Sequence, residues 1–163
     1  MNTILLATDG SPSAQKATPT AIELAADTGW HLKVVSVWSF RTLIFGEIPA
    51  SAWKEIEEAE REHAQNVVEA ALTAAKAESV EADGAVLEGD PVSEICEAAR
   101  DATLVVIGSH GWGSVKRLVF GSVSSAVLHH ASCPVLVVRG EGEEEDTAPR
   151  EAVAAAAGQK GES

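Results

Sequence analysis

Basic residues are scarce in this chain: 12 Lys and Arg stand against 25 Asp and Glu, for a formal net charge of −13. A nucleic-acid surface needs a basic stripe to neutralise phosphates, and the absence of one excludes that class of partner. Cysteine is equally sparse. Cys96 and Cys133 lie far apart with no Cys-x-x-Cys or zinc spacing, which argues against redox or zinc roles and leaves both as expected core fillers. No apolar run is long enough to cross a membrane and the N-terminus does not read as a signal. A membrane partner is therefore not expected, and a reduced cytoplasmic compartment is. Internal repeats are missing as well, so a solenoid is excluded.

What remains is one domain's worth of chain: 163 residues, 45% of them hydrophobic. From Gly140 to Ser163 seven acids face two bases among Gly and Ala, a tail of charge −5 that leaves −8 on the body. Residues 140–163 are expected to be an acidic, Ala/Gly-rich disordered tail behind a domain spanning 1–139.

Within that domain, short apolar runs alternate with helical patterns. Strands are expected at Thr3–Thr8, Leu32–Trp38, Gly84–Leu87, Leu104–Ile107 and Val135–Val138. Ser11-Pro12 is a helix start with a side-chain cap and proline in the first turn, and Gly29 a helix stop. Pro19 falls inside that helix and predicts a kink or an early break. Residues 52–77 form the longest helical pattern, with acidic first turns that suit the positive end of the helix dipole and read as a solvated face. Its predecessor, residues 39–50, carries Phe40, Leu43, Ile44 and Phe45 and is expected to pack over something. Asp90-Pro91 opens a short helix, and Ser122 caps the last one, which runs to about Ala131. Strand–helix alternation of this kind means a doubly wound α/β fold: a parallel sheet with helices on both faces.

The chemistry concentrates where the fourth strand ends. Val105-Val106-Ile107-Gly108-Ser109-His110-Gly111 runs on to Phe120-Gly121-Ser122, giving the spacing Gly108-x2-Gly111-x9-Gly121-Ser122. This is neither Gly-x-Gly-x-x-Gly nor a Walker loop. Glycine permits positive φ and close backbone approach, and the amides of Gly121, Ser122 and Val123 at a helix start can face an anion. The first strand also ends in a distinctive loop, Asp9-Gly10-Ser11. In an open α/β sheet, two such loops share a crevice if their strands are neighbours where the strand order reverses.

Taken together, these segments resemble the universal stress protein family, specifically its ATP-binding branch, from Thr3 to Arg139. The likeness is carried by the glycine spacing, Ala7-Thr8-Asp9-Gly10-Ser11, Glu88-Gly89-Asp90-Pro91, Val119-Phe120-Gly121-Ser122-Val123 and Cys133-Pro134-Val135-Leu136-Val137-Val138-Arg139. It implies an adenine-nucleotide alpha-hydrolase-like sheet of five strands in the order 3-2-1-4-5. It also implies a homodimer paired through Val135 to Val138, and ATP, with Mg, as ligand. On this resemblance the backbone of Val37 contacts adenine, and Thr8 and Asp9 line the nucleotide. Gly108, Gly111, Gly121 and Ser122 hold ribose and phosphates, with Ser109 and Val123 as neighbours. Asp9 has two readings: a holder of ribose hydroxyls or an ion-linked water, or part of the cap before the first helix. Gly108→Val or Gly121→Ala is expected to remove ligand binding and spare the fold.

Two departures from the family pattern stand out: Pro19 inside the first helix, and Trp112 at a position where the family often has Arg. Lys116 and Arg117 read as solvated surface residues or as electrostatic substitutes for that Arg. His110 reads either as a phosphate contact or as a loop histidine with no such role. His129 and His130 are adjacent and so face different sides, which argues against a metal. The resemblance implies a nucleotide-dependent regulatory module in stress response with an unknown protein partner. The alternatives are a slow ATPase or a phosphoryl or nucleotidyl transferase on the same fold, and a nucleotide-free dimeric adaptor. No Ser-Gly-Gly pyrophosphatase loop, His-x-Gly-His motif or acid–base pair favours dedicated catalysis.

Overall fold

In a computed structural model, residues 1–39, 50–112 and 120–140 are described. The loop at 40–49, Lys116, Arg117 and the tail beyond Gly140 lie outside them. Strands β1 (Thr3–Ala7), β2 (His31–Trp38), β3 (Ala82–Glu88), β4 (Leu104–Gly108) and β5 (Val135–Val138) alternate with helices α1 (Pro12–Thr28), α2 (Ala50–Ala77), α3 (Pro91–Ala98) and α4 (Ser122–His130). A single 3-10 turn, Ala99–Asp101, follows α3. All four strand pairs are parallel and the order is β3-β2-β1-β4-β5. The fold is the expected doubly wound one.

Alternation along β1 explains the two-sided core. Ile4 and Leu6 face one layer with Ala17, Ala21, Ile22 and Ala25 of α1 and Val68, Ala71 and Ala75 of α2. Leu5 and Ala7 face the other, with Ile95 of α3, Ala99 and Val127 of α4. Successive strand residues point to opposite faces, so a central parallel strand must be apolar throughout. Cys96 and Cys133 pack against the second layer as expected fillers. Burial raises both thiol pKa values above the ordinary one, and the Val105 backbone partly offsets this at Cys133.

Two local expectations need correction. Pro19 does not break α1, which runs continuously from Pro12 to Thr28. Pro19 itself is exposed, whereas Ala17, Ala21, Ile22 and Ala25 are buried. The hydrogen bond it lacks is on the solvent side, and burial of the opposite stripe carries the helix through. Ser11 stands at the helix N-cap, yet its hydroxyl does not cap. It donates to the carbonyl of His110 at 3.0 Å instead, and the Ser11 amide is taken by Asp9 Oδ1 at 2.9 Å. Gly29, by contrast, ends α1 as predicted, at φ 68° with its amide on the Ala25 carbonyl.

Candidate nucleotide site

β1 and β4 are hydrogen-bonded neighbours, with Ala7 opposite Ile107, while their crossover helices cover opposite faces of the sheet. Their carboxyl ends therefore form the topological switch point, and the loops 8–11 and 109–112 face each other across it. Small buried hydroxyls gather here: Thr8, Ser11, Ser13, Ser109 and Ser124 are each 6% exposed or less. Among the described residues no buried side-chain polar atom lacks a partner.

The two loops are joined by several cross-bonds. Ser11 Oγ and Ser13 Oγ both donate to the His110 carbonyl, and the His110 amide returns a bond to Ser13 Oγ at 3.1 Å. Trp112 Nε1 donates to the Asp9 carbonyl at 2.9 Å, and His63 Nε2 of α2 approaches the same oxygen at 3.2 Å. The Ser109 carbonyl accepts the Gly121 amide and Ser124 Oγ, both at 2.7 Å. That carbonyl ties the start of α4 to the end of β4.

The glycines work differently from one another, and none of the three in the motif has positive φ; among the described glycines only Gly10, Gly29 and Gly89 do. A Cβ on Gly108 would lie 2.6 Å from Ser13 Oγ and 2.7 Å from the Ala14 amide nitrogen. Gly108 is thus a close-packing residue that seats β4 on the first turn of α1. A Cβ on Gly111 would come within 2.9 Å of Asp9 Oδ2, and one on Gly121 would sit 3.3 Å from the His110 Cα and the Ser109 carbonyl. At Gly121 φ is −72°, so the backbone tolerates other residues and only space is tight. The expectation that Gly108→Val would spare the fold is corrected accordingly.

Two helix N-termini meet the switch point, and they are in different states. The N-terminus of α1 is covered by Gly108 against the Ala14 amide and by the His110 peptide bonded to Ser13. That of α4 is open. Gly121 is the N-cap with no side-chain bond, so Ser122 is the first helical residue and not the cap the sequence predicted. Among the described residues, the Ser122 and Val123 amides have no hydrogen-bond partner. Both helix starts carry the positive end of a dipole, but Ser13 and Ala14 at the start of α1 are buried, whereas Ser122 at the start of α4 is exposed.

Val37 lies near the end of β2. In a parallel sheet both backbone groups of a residue point to the same neighbour, alternating along the strand. The Val35 carbonyl accepts the Thr8 amide and the Trp38 carbonyl accepts the Gly89 amide. Val35 and Val37 therefore face the β1 side, and at Val37 β1 has already ended. Asp9 has both of its sequence readings open to it: Oδ1 holds the turn before α1, while Oδ2 lies beside Gly111 at the mouth. Sequence reasoning missed Ser13 and Ser124, which carry the loop geometry. The signal was available only as the serine-rich run Ser11-Pro12-Ser13 and Ser122-Val123-Ser124-Ser125. His63 was missed too, since it lies on the distant α2.

A separate concavity of about 490 Å³ lies between α2 and β3, with Trp38, Arg61, Val68, Leu72 and Glu88 in its wall. It is off the switch point and offers no helix start. Among the described residues no group of three or more His, Cys, Asp or Glu is placed to hold a metal.

Sheet order, crossover faces and an exposed helix start at the β1–β4 junction define a doubly wound α/β domain with a crevice at its switch point. The chain belongs to the universal stress protein family, whose family model matches residues 1–139. A universal stress protein of Thermus aquaticus is 37% identical over 141 residues, covering 84% of this chain and 98% of its own length. One from Mycolicibacterium smegmatis is 36% identical over 138 residues, 83% of this chain. The chain spans only 45% of that relative. Among solved structures, the universal stress protein UspA of Lactobacillus plantarum superposes with a TM-score of 0.76 at 27% identity, covering 85% of this chain and 97% of that one. A universal stress protein solved in complex with cAMP gives 0.63 at 25% identity, covering 84% and 96%. One from Archaeoglobus fulgidus in complex with dAMP gives 0.59 at 24% identity, covering 85% and 97%, and shows the shared fold.

Proposed function

We propose that this protein binds ATP at the β1–β4 switch point and acts as a nucleotide-dependent regulatory module, with Mg accompanying the phosphates. The observation that carries this reading is the exposed start of α4, where the Ser122 and Val123 amides have no partner among the described residues, beside a crevice whose other helix start is buried. A phosphate there would meet N–H donors and the helix dipole together. Such a contact contributes about 0.3–1 kcal/mol per charge when exposed and up to ~2 when partly buried. Micromolar affinity needs about 8 kcal/mol, so contacts to adenine and ribose must supply most of it. Val37's backbone, pointing past the end of β1, suits the base, and Asp9 Oδ2 at the mouth suits ribose hydroxyls or a water on the ion. Thr8, Gly108, Ser109, Gly111 and Gly121 shape the wall between them. The adenine nucleotides bound by two of the structural relatives support the same ligand class.

β5 is an edge strand, and Leu136 on it is 36% exposed. An apolar edge of this kind favours pairing across a two-fold axis, which supports the homodimer. Release of nucleotide on denaturing fresh protein, then calorimetry of the stripped protein with Mg-ATP, ATP, AMP and cAMP, tests the ligand. Saturable binding near one per chain is expected; no released nucleotide and no heat would leave a nucleotide-free dimeric adaptor as the better reading. Sedimentation of Leu136→Lys should show monomer where wild type shows dimer, and an unchanged mass would remove β5 as the interface.

A further inference from the structure

We infer that Ser13 is the positioning residue of the nucleotide site: it locks the loop after β4 onto α1 and thereby leaves α4 as the helix start open to phosphate. The inference rests on the proposed nucleotide reading and adds to it a residue outside the glycine motif. Ser13 is 4% exposed and sits in the first turn of α1, 97 residues from the loop it holds. Its hydroxyl both donates and accepts on one residue, donating to the His110 carbonyl and accepting from the His110 amide at 3.1 Å. Ser11 supports only half of this arrangement, a single bond to the carbonyl at 3.0 Å. With Ser13 present, the His110 peptide lies over the start of α1, where the dipole favours its carbonyl oxygen. An anion is displaced from that helix and left with α4.

The surroundings pack closely on this position. Gly108 at the end of β4 has its Cβ site 2.6 Å from Ser13 Oγ, and Gly140 beyond β5 has its own 3.2 Å from Ser13 Cβ. A side chain at either glycine would meet Ser13, so both chain exits pack directly on it. Alanine would fit, but it would remove the acceptor that Ser13 Oγ offers the His110 amide. Ser13 thus joins the exits of β4 and β5 to α1, and through Ser109, whose amide bonds the Val138 carbonyl at 2.8 Å and whose carbonyl bonds the Gly121 amide, it sets where α4 begins.

Residue-resolved amide hydrogen exchange on the full chain, with wild type, Ser13→Ala and Ser11→Ala, decides the matter alongside AMP titration. Ser13→Ala is expected to speed exchange at His110 by about tenfold, leave Leu5 and Val106 at wild-type rates, and weaken AMP binding by about tenfold. Ser11→Ala should keep the His110 amide within about twofold of wild type, since Ser11 bonds only the carbonyl. Exchange at His110 unchanged in Ser13→Ala overturns the inference, as does faster exchange with AMP affinity intact, because Ser13 would then shape the loop without serving the site. Wild type that binds AMP while Ser13→Ala binds it equally well sinks the positioning role alone; wild type that binds no adenine nucleotide sinks the proposed function and this inference with it. If Ser13→Ala does not fold, wild type still discriminates: a His110 amide exchanging as fast as that of Gly111 overturns the lock, and one slower by about tenfold supports it.

Discussion

Gly108, Gly29 and Gly121 show three distinct reasons for glycine, and each makes its own prediction. At Gly108 the obstacle is backbone: an added Cβ would stand 2.8 Å from the Ser13 carbonyl carbon and 2.7 Å from the Ala14 nitrogen. Neither can swing aside as a side chain can, so Gly108→Val is expected to cost about 3 kcal/mol or more, read from urea unfolding. At Gly29 nothing lies within 4 Å, and only the left-handed φ of 68° is at stake. Gly29→Ala should therefore cost about 1–2 kcal/mol with nucleotide binding untouched. Gly121 has ordinary φ and moderate crowding, so Gly121→Ala is expected to stay within about 1 kcal/mol of wild-type stability. It should still weaken nucleotide binding, because its new methyl would press on His110 beside the open α4 amides. Equal affinity in a folded Gly121→Ala protein would move the phosphates away from that helix.

Among the elements, α1 and α3 illustrate how far local rules reach. Asp90 caps α3 as the sequence predicts, with Oδ2 accepting the Ser93 amide at 3.1 Å and Pro91 in the first turn. Cap chemistry is local, which is why it can be read from adjacent residues. The continuity of α1 is not local. Proline in a helix interior is ordinarily disfavoured by about 3 kcal/mol, yet the buried alanine and isoleucine stripe outweighs it here. Pro19→Ala is accordingly expected to stabilise the fold by about 1–3 kcal/mol, seen as a shift of the urea midpoint without change in slope. No gain would mean that the helix bends around Pro19 in solution and that alanine restores nothing.

For the whole molecule, the sheet order is what turns two separate loops into one crevice, and the second core layer is what partly buries both thiols. Cys96 and Cys133 have pKa values raised by burial, so the folded protein holds their protons more tightly than the unfolded chain. The thiols' contribution to stability is therefore fully present below the ordinary thiol pKa. It declines as pH rises through that value toward the higher folded one. Denaturant unfolding followed upward from neutral pH should show this decline, and Cys96→Ala with Cys133→Ala should flatten it. A slope unchanged by the double substitution would assign the alkaline loss to other groups.

Binary pattern, glycine spacing and cap residues determined the strands, the helices and the existence of a loop cluster that includes residues 8–11 and 109–112, because each depends on neighbours in sequence. The strand order 3-2-1-4-5 was legible through the family resemblance and is borne out by the pairing of β1 with β4. Tertiary structure alone decided which helix start stays open, since that turns on contacts 97 residues apart between Ser13 and His110. It likewise decided that Ser11 bonds across the crevice and not its own helix, and that Gly108 serves packing. A hydroxyl or a missing Cβ has several uses of similar energy, and the sequence fixes none of them until the fold brings a partner within reach.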